Sequence, residues 1–516
     1  MSEPRLKHET IKVRELIQDN RDGRLVIPEF QREYVWRKSK APLLIDSLYR
    51  GFPISSLLVW ESPSPVRSRQ GDFRATDASV ASWLIDGQQR VITLAKAFNG
   101  DEGINVLLNP DKDEFLLRNA VIGRDRTGWF RLADIWNDEA YRRLRKSFDG
   151  ADASDGKRET RLEAARRILD YEVPVVRMIG HSLEQAVVAF KRINTLGVKL
   201  KKADIESAHV AARHSGFIAE HVVPFLKDLA RQGFNRLTVM HLFRACAFIA
   251  MPDGRSRTPL HKLGEPNVLG AWQRTETATR EAIGLIQAEL GLTNMDILWS
   301  GALLVPIIVL YATLPRKRLK APALVGWLGL AALMHRYSSS ADTSLGQDLR
   351  RCREDEPIGG LLNNLRQRRQ SLEARPEDFL GALEDRSGLL ALFIACRHRG
   401  AADFDTGEKI GSQLELDRHH LLARAQFEQE ERARADTVAN IAFIKEGANR
   451  SLGAKGPEVY LKNLSARVRR GHCIPEDSAL WAVARAEDFW AARRKLLAAA
   501  FNDFVHHALP GRRLGL

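Results

Sequence analysis

The sequence predicts an α+β protein, mostly helical, with small sheets set near its two ends. Three observations predict this. Leu, Ala, Arg and Glu dominate long stretches, in a chain of 516 residues that is 44% hydrophobic and 28% charged. Short strand-like runs are confined to residues before about 210 and after about 401, and the stretch between them carries helical periodicity almost throughout. A chain of this length exceeds one ordinary core, so several domains are expected.

The elements follow in order. Residues 25–27 and 54–60 read as short strands. Between them Ser39 can cap a helix carrying Leu44, Ile45 and Leu48, stopped by Gly51 and Pro53. Residues 83–85 and 172–177 are further strands. The polar stretch 149–159 contains Gly150 and Gly156 and reads as an exposed loop. Residues 237–249 and 282–290 are helices, and the apolar runs 299–312 and 322–334 are buried helices. Beyond 401 a short Asp/Gly-rich approach leads to a strand over 414–419 and then an Asn-containing helical piece. The tail from Glu476 is helical. The expected domains are 1–210, 211–400, 401–475 and a tail over 476–516.

Lys and Arg exceed Asp and Glu by 79 to 65, a formal net charge of +14, with arginine clusters at Arg366/Arg368/Arg369 and Arg467/Arg469/Arg470. Such a balance favours a polyanionic partner, and nucleic acid is the commonest. The four cysteines are scattered with no CxxC pair, which argues against a zinc knuckle and fits a reducing compartment. Neither apolar run reaches the roughly 20 residues needed to span a bilayer. No membrane partner is expected, and the cytoplasm is the expected location.

Chemistry concentrates in two places. The first is LELDRHHLLARAQF (residues 414–427), followed by Asn440 in TVANIAFI and Asn449 in EGANRS. Adjacent strand residues point to opposite sides, so one of His419 and His420 can bind a metal while the other faces substrate. A distal Asn can complete the metal site through its amide oxygen, and another can orient the base by accepting its ring N–H. Phosphodiester hydrolysis needs this combination of base and cation. No H-x-x-x-H follows, so a hard divalent ion, Mg²⁺ or Mn²⁺, is preferred over zinc. The other vicinal pair, His506–His507, lies in a helical tail with no Asn downstream and reads as inert.

The second place comprises IPEFQREYVW (27–36), LIDGQQRVITL (84–94) and FKRINTLGVKLKKADIESA (190–208). The middle motif reads as a strand end, a turn at Asp86–Gly87, and a helix whose N-terminus offers free N–H groups beside Gln88, Gln89 and Arg90. That is an anion cradle. Arg90 and Arg32 carry forks suited to phosphate, and Asp86 could hold a cation or a ribose hydroxyl. Asn194 and Gly197 read as a turn. The pattern GxxxxGK[ST] is absent, which excludes a Walker-type NTPase.

In this order the motifs resemble GmrSD-type restriction proteins. Those combine a ParB-like α/β domain bearing a D-G-Q-Q-R signature with a C-terminal HNH, or ββα-metal, nuclease domain. The resemblance implies an anti-phage defence endonuclease. An NTP-binding and hydrolysing sensor would be coupled to a metal-dependent nuclease acting on DNA, often modified DNA. It makes His420 the general base, His419 and Asn449 metal ligands, and Asn440 the residue orienting the base. Asp86, Gly87, Gln88, Gln89 and Arg90 would carry the nucleotide chemistry, with Arg32 and Asn194 assisting. Ala423 stands where relatives carry Pro after the histidine pair. Two alternatives stay open: a nucleotide-gated DNA-binding regulator with an inactive nuclease, and a nuclease whose N-terminal domain recognises DNA without hydrolysing NTP.

Overall fold

In a computed structural model of the chain, the described residues are 3–28, 38–62, 81–121, 128–146, 155–196, 202–214, 216–251, 259–339, 341–383, 386–411, 416–453, 455–512 and 514–515. The chain divides into two compact units, residues 1–223 and 224–516. The helical middle, the histidine-bearing segment and the tail, expected as separate domains, thus share one unit.

The N-terminal unit is built on strands β1 (Arg5–Lys12), β2 (Leu25–Val26), β3 (Leu57–Ser62), β4 (Ala81–Asp86), β5 (Val106–Asn109), β6 (Glu114–Leu117), β7 (Phe130–Arg131) and β8 (Glu172–Ile179). Five of them form a mixed sheet in the order β1-β8-β3-β4-β2. β1 pairs antiparallel with β8, β3 parallel with β8, and β4 antiparallel with β3 and parallel with β2. A second sheet has the order β6-β5-β7. In β4, Trp83, Leu84 and Ile85 are all buried, as an interior strand covered on both faces requires.

Three expectations change here. The stretch expected as a loop over 149–159 ends in a helix, Asp155–Arg167, which buries Leu162 and Ala165. Asn194 lies inside the helix Leu183–Leu196 rather than in a turn. β1 was not foreseen at all.

The C-terminal unit is helical except for a hairpin. The helices Val305–Thr313 and Ala321–Leu333 are apolar on nearly all sides and fill its interior. Beside them a buried carboxylate, Asp348, accepts from Arg336 Nε at 2.9 Å, Tyr337 Oη at 2.6 Å and Asn364 Nδ2 at 2.7 Å, so the charge is fully partnered. The hairpin pairs β9 (Leu416–His420) antiparallel with β10 (Ile441–Lys445), and the helix Glu446–Leu452 follows. β10 replaces part of the helical piece expected after the histidines. The last long helix, Ala486–Ala508, packs on the hairpin's core through Phe489 and Trp490. All four cysteines are free and buried. Among the described residues no helix is long and apolar enough to cross a membrane.

Candidate active site

β9 ends at the histidine pair, and strand alternation separates the two rings. His419 turns inward and is 3% exposed. Burial, the largest influence, holds its ring far below the usual histidine range, at about 4, so it is neutral near pH 7. Its Nε2 lies 3.1 Å from the Tyr460 hydroxyl, which donates to the Leu421 carbonyl at 2.6 Å. The hydroxyl has spent its proton there, so it accepts from His419, and the network assigns the ring proton to Nε2. A lone pair is left on Nδ1.

That lone pair faces Asn449. The Asn449 amide nitrogen donates to Asp417 Oδ2 at 3.2 Å, which turns its oxygen toward His419 Nδ1 at 2.8 Å. Two acceptors therefore oppose each other across 2.8 Å, an arrangement that a cation between them relieves. Ligand atoms on one edge of a Mg²⁺ octahedron stand roughly 2.9 Å apart, given bonds of about 2.0–2.1 Å. One imidazole nitrogen and one amide oxygen could together hold a divalent cation here. No cluster of three His, Cys, Asp or Glu side chains suited to a metal occurs among the described residues.

His420 faces the other way, with a quarter of its side chain exposed. Its Nε2 lies 2.9 Å from Asp436 Oδ1, and Arg424 Nη1 approaches the other oxygen of Asp436 at 3.3 Å. Its Nδ1 carries no hydrogen bond among the described residues.

Asn440 does not orient His420, contrary to the sequence reading. It is fully buried, and its oxygen accepts from the Leu422 amide at 2.9 Å. Its nitrogen donates to the carbonyls of Leu422 and Ala435, both at 3.0 Å. Both amide hydrogens are spent on backbone carbonyls and the oxygen is turned to the Leu422 amide; no hydrogen bond to His420 is made. It staples the chain leaving β9 to the chain entering β10, directly after His420. Asp417, Asp436 and Tyr460 were missed. The Tyr460 signal was present in the GPEVY segment downstream of Asn449, but nothing in the sequence tied it to His419.

In the N-terminal unit the turn at Gly87 is as expected. Its φ of +95° is left-handed, and a Cβ there would lie 2.2 Å from the Leu57 side chain, so glycine is required. The helix Gln88–Asn99 starts at once. Gln88 and Gln89 are buried, and Gln88 Oε1 has no hydrogen-bond partner among the described residues. Arg90 departs from its expected role. Its guanidinium donates to the carbonyls of Ile54, Ser55 and Ser56 at 2.5, 2.7 and 2.9 Å and reaches Asp86 at 3.3 Å. The fork expected for phosphate is occupied by backbone. Arg32 lies outside the described residues, as does the side chain of Asn194.

Residues 13–211, which hold this turn, match the family described as the GmrSD restriction endonuclease, N-terminal domain. The N-terminal part of the chain is thus similar to the N-terminal domain of GmrSD-type restriction endonucleases. The chain is also similar to an uncharacterised protein of Methanocaldococcus jannaschii, MJ0686, with 24% identity over 246 residues, covering 39% of this chain and 41% of that relative. The match thus spans less than half of the relative's length.

Proposed function

We propose that this chain cuts DNA phosphodiester bonds at the β9–β10 hairpin. The observation that carries the reading is the opposed pair His419 Nδ1 and Asn449 Oδ1, backed by a second histidine with a free ring nitrogen on the other side of the strand. A divalent ion such as Mg²⁺ or Mn²⁺, held by His419 and Asn449, would supply charge stabilisation at the phosphate and leaving oxygen. His420 takes the proton of the attacking water at Nδ1. Arg424, beside it and about half exposed, meets the incoming phosphate backbone. The excess of basic residues favours the encounter with DNA.

The reading extends to a nucleotide triphosphate bound and hydrolysed at the start of the helix Gln88–Asn99. The buried Gln88 oxygen, which has no partner among the described residues, can accept from a ribose hydroxyl, a base amine or a hydrated cation, and Asp86, already paired with Arg90, stands beside it. Phosphate oxygens would be met at the positive N-terminal end of this helix. Gln89 lines the same turn.

Plasmid nicking with Mg²⁺ or Mn²⁺, at stated salt, tests the nuclease. His420→Ala should abolish it, and equal cutting by both proteins would remove the assignment. Phosphate release with each NTP, compared with Asp86→Ala, tests the second part. No release from any NTP would leave a nuclease whose N-terminal domain only recognises DNA.

A further inference from the structure

The two adjacent histidines differ most in what holds the far side of each ring. His419 Nε2 meets a neutral hydroxyl, that of Tyr460, at 3.1 Å. His420 Nε2 meets a carboxylate, that of Asp436, at 2.9 Å. A hydroxyl orients an imidazole without favouring its charged form, which suits a ring that stays neutral on a metal. A carboxylate orients the ring and also stabilises the imidazolium that forms when it accepts a proton. We infer that Asp436 is the positioning residue of the base, fixing His420 in the tautomer whose lone pair sits on Nδ1. This rests on the nuclease reading above and deepens it.

The placement of Asp436 is built into the backbone rather than left to a mobile surface side chain. Its carbonyl accepts from the Leu383 amide at 3.0 Å, and its own amide donates to Ala433 at 3.2 Å. Two residues on, the Val438 amide donates to Gly381 at 3.0 Å. On the other side, the Ala435 carbonyl is held by Asn440. The carboxylate is divided between two partners, one oxygen toward His420 and the other toward Arg424. Arg424 thereby helps to aim Asp436. An exposed His–Asp contact with free backbone on both sides would contribute little; this one is pinned on both sides.

The step balances without further reagents. Water's oxygen forms a bond to phosphorus as its proton moves to His420 Nδ1. The bond from phosphorus to the leaving oxygen breaks with its electron pair, and that oxygen takes a proton from solvent. His420 then returns its proton to bulk water.

The test is a double-mutant cycle on the full chain, with single-turnover cleavage of a defined duplex in Mn²⁺. Asp436→Asn keeps the shape and should lower kcat by about tenfold to a hundredfold. KM for DNA and Mn²⁺ affinity should stay within twofold, and Asp436→Glu should recover part of the loss. In a His420→Ala background, Asp436→Asn should change the residual rate by less than twofold, because its effect passes through the missing ring. Equal fold-losses in both backgrounds would show a merely structural role and overturn the inference, as would wild-type kcat in Asp436→Asn. If His420→Ala itself cuts normally, the nuclease reading of the hairpin fails and takes this inference with it. Should residual cutting by His420→Ala be too slow to measure, the combination of lowered kcat, unchanged Mn²⁺ affinity and Glu rescue decides.

Discussion

Tyr460 stands 41 positions beyond His419, yet its hydroxyl decides which nitrogen of that ring carries the proton. Because Tyr460 donates to Leu421, His419 can only donate to it, and the outward nitrogen is left bare. Tyr460→Phe removes this arbitration. Mn²⁺ affinity, measured by titration calorimetry, should fall about tenfold to a hundredfold. Stability should fall by only about 1 kcal/mol. An unchanged affinity would mean the tautomer is set elsewhere.

Asn440→Asp should be worse than Asn440→Ala. Aspartate keeps the acceptor for the Leu422 amide but points an oxygen at the carbonyls of Leu422 and Ala435, where the native amide donates. Alanine leaves these groups unmet at about 1–3 kcal/mol each before relaxation. Aspartate adds repulsion and a buried charge. Urea midpoints of the two variants give the order directly.

Arg493→Met should destabilise the C-terminal unit by about 3 kcal/mol or more. The native guanidinium is fully buried and donates at 2.7 Å to both Ala439 and Ile441, and at 3.0 Å to His472. Methionine fills much of the volume and none of the three carbonyls is met. A shift in the chemical-denaturation midpoint smaller than that of a surface substitution would refute it.

Arg90→Lys should lower the melting temperature of the N-terminal unit. A lysine cannot span three carbonyls that a guanidinium fork serves together. The expected cost is about 1–3 kcal/mol. A variant of native stability that binds nucleotide less well would restore Arg90 to phosphate binding.

Acid should loosen the C-terminal unit before general unfolding. His419 and His472 are both buried, and burial lowers each to about 4. A folded-state value below the unfolded one means that protons bind the unfolded chain more readily. The stabilisation is complete above the unfolded value of about 6.5 and is lost as pH falls toward 4. Each ring contributes on the order of 3 kcal/mol across that window. Stability measured from pH 7 to pH 4.5 should decline, and replacing His472 by Gln should flatten part of the slope.

Much of the fold was legible because burial wrote it into alternation. β3, β4 and β8 carry apolar runs such as Leu84–Ile85 that only a covered strand needs. β1 was not legible, because RLKHETIK is an edge strand exposed along most of its length and so has no hydrophobic pattern to read. The helix Asp155–Arg167 rests on two buried side chains, too few to mark it. At the hairpin, the spacing of His419, His420, Asn440 and Asn449 brought the right segments together. Which of them touch was not legible. Asp436 and Tyr460 act through contacts 16 and 41 positions away, and no local pattern encodes those.

The histidine-bearing segment has no wall of its own on one side. Trp490 stacks on Phe427 at 5.9 Å between ring centroids, and Phe489 and Trp481 complete the same apolar cluster. Excising residues 401–475 as a portable cassette would strip away Trp481, Phe489 and Trp490 together with the Arg493 guanidinium behind β10. Anyone moving the proposed centre to another scaffold would have to carry the closing helix along, or supply a substitute of equal bulk and matching donors.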